Sequence, residues 1–193
     1  MTLVDVWRPV ITKTHINLLY NTVLVMGASI LVALSAQIAI PLPFTPVPVT
    51  AQTLAVLLIG AVLGSARGAL AILTYLAEGA VGLPVFAGGK AGLAWLAGPT
   101  GGYLLGFVLA AFVTGFLAER KWDRNIFSGF LAMLIGNVII FAFGLLVLQS
   151  YVGVERVLEL GFYPFILGDI VKLALAAILL PSSWKILKLS GRI

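Results

Sequence analysis

Residues 40–52 read Ile-Pro-Leu-Pro-Phe-Thr-Pro-Val-Pro-Val-Thr-Ala-Gln. Four prolines (Pro41, Pro43, Pro46 and Pro48) fall within eight residues. Each removes a backbone N–H and fixes φ, so the stretch is not helix interior. Yet the sequence on either side is apolar enough to lie in a bilayer. Irregular backbone at membrane depth is tolerated where it lines a cavity or is buried in protein, and not where it faces lipid. The stretch therefore predicts a rigid loop folded over a solute-binding cavity, which the rest of the chain must supply.

Composition supports a membrane setting. Of 193 residues, 61% are hydrophobic and only 10% are charged, with mean hydropathy +1.14. Soluble domains carry about 25% charged residues. The apolar runs are too continuous for the alternation of a membrane β-barrel. The reading is an all-α membrane protein forming one domain over residues 1–193. There is no cysteine, which excludes disulfides and thiolate metal sites. The single histidine, His15, leaves no basis for a histidine metal site or a Ser–His pair, so no metal site and no cofactor are expected. No cleavable leader is evident in the first apolar run. The net charge of +5 is better explained by membrane topology than by nucleic acid binding.

Working outward, the apolar segments predict six crossings, at about 19–39, 51–63, 69–81, 100–118, 126–148 and 162–180. The polar stretch before the first, with Trp7, is expected to lie along the interface. The second and third are short and joined by a tight turn at 64–68, so other chain must fill the membrane above them. The glycine-rich stretch 82–102, with Pro84 and Pro99, is a candidate, either facing a ligand or forming a plain outer loop. Gly98, Gly102 and Gly106 are spaced by four and predict a close-packing face. Ser29, Ala33 and Ala36 make a small-residue stripe, for another helix or for internal packing. Pro164 falls in the first turn of the sixth segment, and Pro181 with the basic tail ends the chain.

With six crossings, nine cations (Arg8, Lys13, Arg67, Arg120, Lys121, Arg124, Lys185, Lys188 and Arg192) fall on the side of the termini. Lys90 and Arg156 fall opposite, and Lys172 lies within a segment. The positive-inside rule then makes both termini cytoplasmic.

That orientation sets Asp169 about 10 Å and Lys172 about 15 Å below the outer end of the sixth segment. Three residues apart, they share a helix face. Ionisable residues at that depth are costly and mark a functional site unless they only neutralise each other. Thr45, Thr50, Gln52, Tyr75, Glu78, Lys90, Trp95 and Tyr103 fall on the same outer half, Glu78 as a helix-end carboxylate rather than a ligand contact. Together they describe a cavity open to the outside, floored by Asp169 and Lys172 and roofed by two irregular loops. No polar series continues inward, as a channel or self-sufficient carrier needs. A capture subunit that needs a partner for release fits better.

The motifs PLPFTPVPVTAQTLAVLL, GLPVFAGG and GPTGGYLLGF, with the late Asp-x-x-Lys of GDIVKLALA, resemble the BioY family over about residues 28–180. These are the biotin-binding S components of energy-coupling factor (ECF) transporters. The resemblance implies the six-helix S-component fold in the cell membrane, capture of biotin from outside, and a partner module of one transmembrane T component and two cytoplasmic ATPases. ATP is then used only by the partners. It also implies that a small-residue stripe on the first helix, here Ser29-x-x-x-Ala33, meets the T component.

Biotin offers two ureido N–H donors, a carbonyl, an apolar thioether ring and chain, and a carboxylate. Asp169 is expected to accept from the ureido N–H groups and Lys172 to donate to the carbonyl. Tyr75 and Tyr103 are expected to pack on the rings, Lys90 to meet the carboxylate, and Thr45 and Gln52 to close the site from the loop. A biotin carrier acting alone is the alternative. The chain has no P-loop, and no nucleophile or metal constellation supports an enzyme.

Overall fold

The computed structural model describes residues 2–6 and 14–191, and the side chains of residues 14–16 are not described. Trp7, Arg8, Lys13 and Arg192, which enter the readings above, lie outside the described residues, as does the His15 side chain. After a short α1 (Leu3–Val6), the chain forms α2 (Thr14–Gln37), a pair of two-residue strands β1 (Ala39–Ile40) and β2 (Val49–Thr50), α3 (Gln52–Leu63) and α4 (Ser65–Ala80). An irregular stretch carries a one-turn α5 (Leu93–Leu96). Then come α6 (Gly101–Glu119), α7 (Ile126–Val152), a one-turn α8 (Val157–Gly161) and α9 (Ile166–Leu189). Among the described residues, four stretches are long and apolar enough to cross a membrane: Asn17–Gln37, Gly101–Glu119, Ile126–Val152 and Val157–Leu189. With 12 and 16 residues, α3 and α4 are shorter.

The helices run alternately between two ends. At one end lie the strand pair, the 81–100 stretch and α8. At the other lie the α3–α4 turn, the α6–α7 link, α1 and the end of α9. Cross-links at each end fix this arrangement. At the first, Thr45 donates to the Leu160 carbonyl at 2.7 Å, and Tyr151 donates to the Ala97 carbonyl. At the second, Glu119 accepts from Ser65 N and Oγ at 2.8 and 2.9 Å, and Arg67 pairs with Asp5 at 3.0 Å.

Four local structures differ from the sequence reading. The proline-rich stretch is a small antiparallel hairpin, Ala39 opposite Thr50 and Ile40 opposite Val49, so the fold is not purely helical. Its prolines stay outside the paired residues, where a missing N–H costs no ladder bond. The turn expected over 64–68 is the single residue Gly64, at φ 89°. Helix α4 starts at once because the Glu119 carboxylate serves its first N–H and hydroxyl. Helix α9 starts at Ile166, after a turn containing Pro164, and runs through Pro181 to Leu189. One missing hydrogen bond is tolerated there because Leu180, Trp184 and Leu187 pack into the core on both sides of the proline.

Packing bears out part of the glycine stripe. A Cβ at Gly102 would sit 2.3 Å from the Phe143 carbonyl oxygen, and one at Gly106 would sit 3.1 Å from Ile140 Cα, so α6 and α7 touch through backbone. Gly98 lies ahead of the helix. Ser29 is fully enclosed and faces inward, its hydroxyl within hydrogen-bond reach of the Met26 carbonyl at 2.9 Å and of Glu78 at 3.0 Å. Ala33 is half-buried. The outward face of α2 is instead Val23, Met26, Ile30, Leu31 and Leu34.

Candidate functional site

The two short helices leave depth at the hairpin end, and the irregular segments fill it. Helix α3 spans about 18 Å, well short of a ~30 Å hydrocarbon core. The 81–100 stretch folds down over α4. Gly92 N donates to the Gly79 carbonyl at 2.7 Å, and Phe86 N to the Lys90 carbonyl at 3.0 Å. Gly88 and Gly89, at φ 68° and 71°, make the turn that L side chains rarely adopt. Gln37, the last residue of α2, clamps this turn. Its Oε1 accepts from Gly89 N at 3.1 Å, and its Nε2 donates to the Phe86 carbonyl at 3.3 Å.

Beneath the roof lies a cavity lined mainly by apolar side chains. Val47, Pro48 and Thr50 reach it from the hairpin, Ala87, Trp95 and Thr100 from the folded stretch. The walls come from Tyr103, Leu104 and Phe107 of α6 and from Ile140 and Phe141 of α7. Gln52 and Thr53 of α3, Phe165, and Asp169 and Lys172 of α9 complete it. The interior is narrow, about 60 Å³. Pockets that hold a small organic molecule run to about 300–1,000 Å³. A ligand of that size enters only if the walls part.

The polar floor is a four-membered network. Lys172 Nζ donates to Asp169 Oδ1 at 2.9 Å and to Thr53 Oγ1 at 3.0 Å. Asn137 Nδ2 donates to Asp169 Oδ2 at 3.2 Å. Asp169 is only 4% exposed and lies in the first turn of α9, where the helix dipole favours a carboxylate. An ion pair withdrawn from water gains little over an apolar pair of the same volume. On a mainly apolar wall it presents polar atoms that a ligand of complementary polarity can use. Such a floor offers an acceptor and a donor side by side, matching a group that carries N–H and C=O together.

Of the seven residues expected to bind ligand, Gln52, Tyr103, Asp169 and Lys172 line this cavity. Tyr103 packs edge-on to Phe141 and spends its hydroxyl on the Gly161 carbonyl at 2.8 Å. The other three stand off the wall. Tyr75 is fully buried behind Gln52, accepts from its Nε2 at 2.8 Å, and packs edge-on against Phe86. That ring sits over Gly79, where a Cβ would lie 2.0 Å from it. Thr45 pins the hairpin crown to Leu160, and Val47 N donates back to it at 3.3 Å. Lys90 is exposed at the rim, 6.0 Å from the centre of the Trp95 ring. Glu78 is half-buried against Ser29, away from the cavity.

Thr53 and Asn137 were not among the expected site residues. A lone threonine or asparagine in an apolar helix gives no sign of its partner. The available signal was depth: both sit in segments whose other residues are almost all apolar.

The chain matches the BioY family profile over residues 11–189. It is 44% identical over 160 residues to "Biotin transporter BioY" of Rhizobium etli, covering 79% of this chain and 86% of that protein. It is 46% identical over 151 residues to the protein of the same name from Thermotoga maritima, covering 77% and 86%. Among solved structures, it is similar to the S-component for biotin from an ECF-type ABC transporter. The TM-score there is 0.80 at 26% identity, over 90% of this chain and 95% of the other. With the profile spanning nearly the whole sequence and curated transporters aligned over most of their own length, the chain belongs to the BioY family.

Proposed function

We propose that this protein captures biotin from the outer side of the cell membrane as the substrate-specific subunit of an ATP-driven ECF transporter. The observation that carries this reading is the Asp169–Lys172–Thr53 cluster opening into an otherwise apolar cavity. A cyclic urea fused to a thioether ring has that polarity: two N–H donors and a carbonyl at one edge, apolar surface elsewhere. Asp169 accepts from the ureido N–H groups, Lys172 donates to the carbonyl, and Tyr103 packs on the rings with Trp95 and Phe141. Gln52, braced by Tyr75, closes the site beside the hairpin. Lys90 at the rim meets the biotin carboxylate.

The chain crosses the membrane six times in this reading, with α3 and α4 as the short pair and both termini cytoplasmic. Arg67, Arg120, Lys121, Arg124, Lys185 and Lys188 lie at the end of the turn and termini, and Lys90 and Arg156 at the other, which supports that orientation. A T component and two ATPases supply release. Because Ser29 is enclosed, the T component meets the exposed face of α2, with Ala33 at its margin.

Two measurements test this. Purified protein is expected to bind biotin in detergent or lipid, and absence of binding overturns the reading. In liposomes it is expected to move no biotin until the T component and ATPases are added with ATP. Uptake by the protein alone would make it a self-sufficient carrier.

A further inference from the structure

Asn137 is half used. Between Ser128 and Gln149 it is the one polar side chain of α7, and it is 6% exposed. Its Nδ2 donates to Asp169 Oδ2 at 3.2 Å, while its Oδ1 is enclosed with no partner among the described residues. Turning the amide end for end would set two acceptors against each other, so the carboxylate dictates the observed orientation. The orphaned oxygen is the consequence, and an enclosed acceptor without a partner costs stability. A leucine would fill this place without that cost but would leave Asp169 Oδ2 without a donor, so the amide is there on the carboxylate's account.

Its position suggests the reason. Asn137 is not on the cavity wall, whereas Ile140 and Phe141, one turn further along α7, are. It reaches Asp169 from behind and holds Oδ2. Oδ1 is left with Lys172 and Thr53, both of which face the cavity. A carboxylate held by one oxygen cannot swivel. We propose that Asn137 is a positioning residue for the ligand site: by anchoring Asp169 Oδ2 it fixes the plane in which the carboxylate and Lys172 meet the edge of a cyclic urea. The inference rests on the biotin reading above and adds to it a residue that touches no ligand. Its effect on binding is pre-organisation.

The test is equilibrium binding of biotin to the purified parent protein, Asn137→Leu and Asn137→Asp across a range of pH. Asn137→Leu is expected to bind about ten-fold more weakly, the effect of one hydrogen bond to a charged group. Asn137→Asp keeps the shape. When protonated, its carboxyl donates to Asp169 as the amide does; once it loses the proton, two carboxylates oppose each other. Its affinity is expected to approach that of the parent in acid and to fall as pH rises, with a slope the parent lacks. The other groups at this network do not mimic that slope. Lys172 is common to both proteins, Thr53 of α3 does not titrate, and Tyr103 of α6 is engaged by Gly161. If Asn137→Leu binds like the parent, the proposal fails. It also fails if the affinity of Asn137→Asp relative to the parent is independent of pH, whatever its level; this isosteric variant keeps the test decisive if the leucine protein does not fold. Absence of binding by the parent would overturn the functional reading itself, whereas a binding parent with matching variants overturns only the role of Asn137.

Discussion

Two buried carboxylates stand at opposite ends of the molecule, and their surroundings differ in kind. Asp169, under the hairpin, has both oxygens engaged, one by an ammonium and one by an amide, and it faces a cavity. Asp123, in the link between α6 and α7, is 1% exposed and is not on the wall of that cavity. Trp184 Nε1 of α9 donates to its Oδ2 at 2.5 Å, while its Oδ1 has no partner among the described residues. The adjacent Arg124 lies over the Trp184 ring, 4.2 Å from its centre, instead of over the carboxylate. Burial pushes the Asp123 carboxyl above the usual carboxylate range, and the Trp184 hydrogen bond offsets only part of that. Depth in the protein does not by itself make a carboxylate a binding group. An ammonium bonded to it and a place on the cavity wall distinguish Asp169 from Asp123.

Substitutions can break this contrast. The largest effect is expected at the cavity. Asp169→Asn replaces the charged acceptor and leaves Lys172 unpaired, which should weaken biotin binding by about 2–5 kcal/mol, while the protein still purifies folded. Calorimetric titration checks this, and unchanged affinity would remove Asp169 from the site. Next comes Trp184→Phe, which takes the donor from Asp123. Stability is expected to fall by about 2 kcal/mol with biotin affinity unchanged. A thermal melt and a binding curve on the same sample separate the two, and a loss of affinity would mean the far carboxylate is coupled to the cavity.

Asp123→Asn should have the smallest effect, since an amide oxygen still accepts from Trp184. With its carboxyl raised by burial, the folded parent keeps a proton that the unfolded chain has released, so this group's contribution to stability falls as pH rises through that window. The asparagine variant should match the parent in acid and gain on it toward neutral pH. Melting curves at pH about 4 and about 7 reveal the difference. An equal gap at both would show that Asp123 does not titrate between them.

Much of this was legible in the sequence, and the limits follow from the same physics. Helix positions came from apolar length, a strong signal. Asp169 and Lys172 were visible because charge at membrane depth is rare and i, i+3 spacing puts both on one face. Rotation about a helix axis was not legible. In α2 nearly every side is apolar, so nothing told Ser29 whether it faces inward to a neighbour or elsewhere. Proline was over-read at Pro181, because its local cost says nothing about the packing that offsets it. Thr45 was rightly placed in the loop, but its partner, the Leu160 carbonyl, lies 115 residues away, and no spacing rule reaches that far.

That Thr45 bond also bears on timing. With its strands anchored between α2 and α3 and its crown tied to the α7–α9 connection, the hairpin is a bridge fixed at three points, not a flap hinged at one. If the way in runs past the hairpin, a tie must let go before the chamber exchanges its contents. The strength of one threonine hydroxyl would then enter the residence time of whatever is held below, although that hydroxyl lies outside the cavity wall.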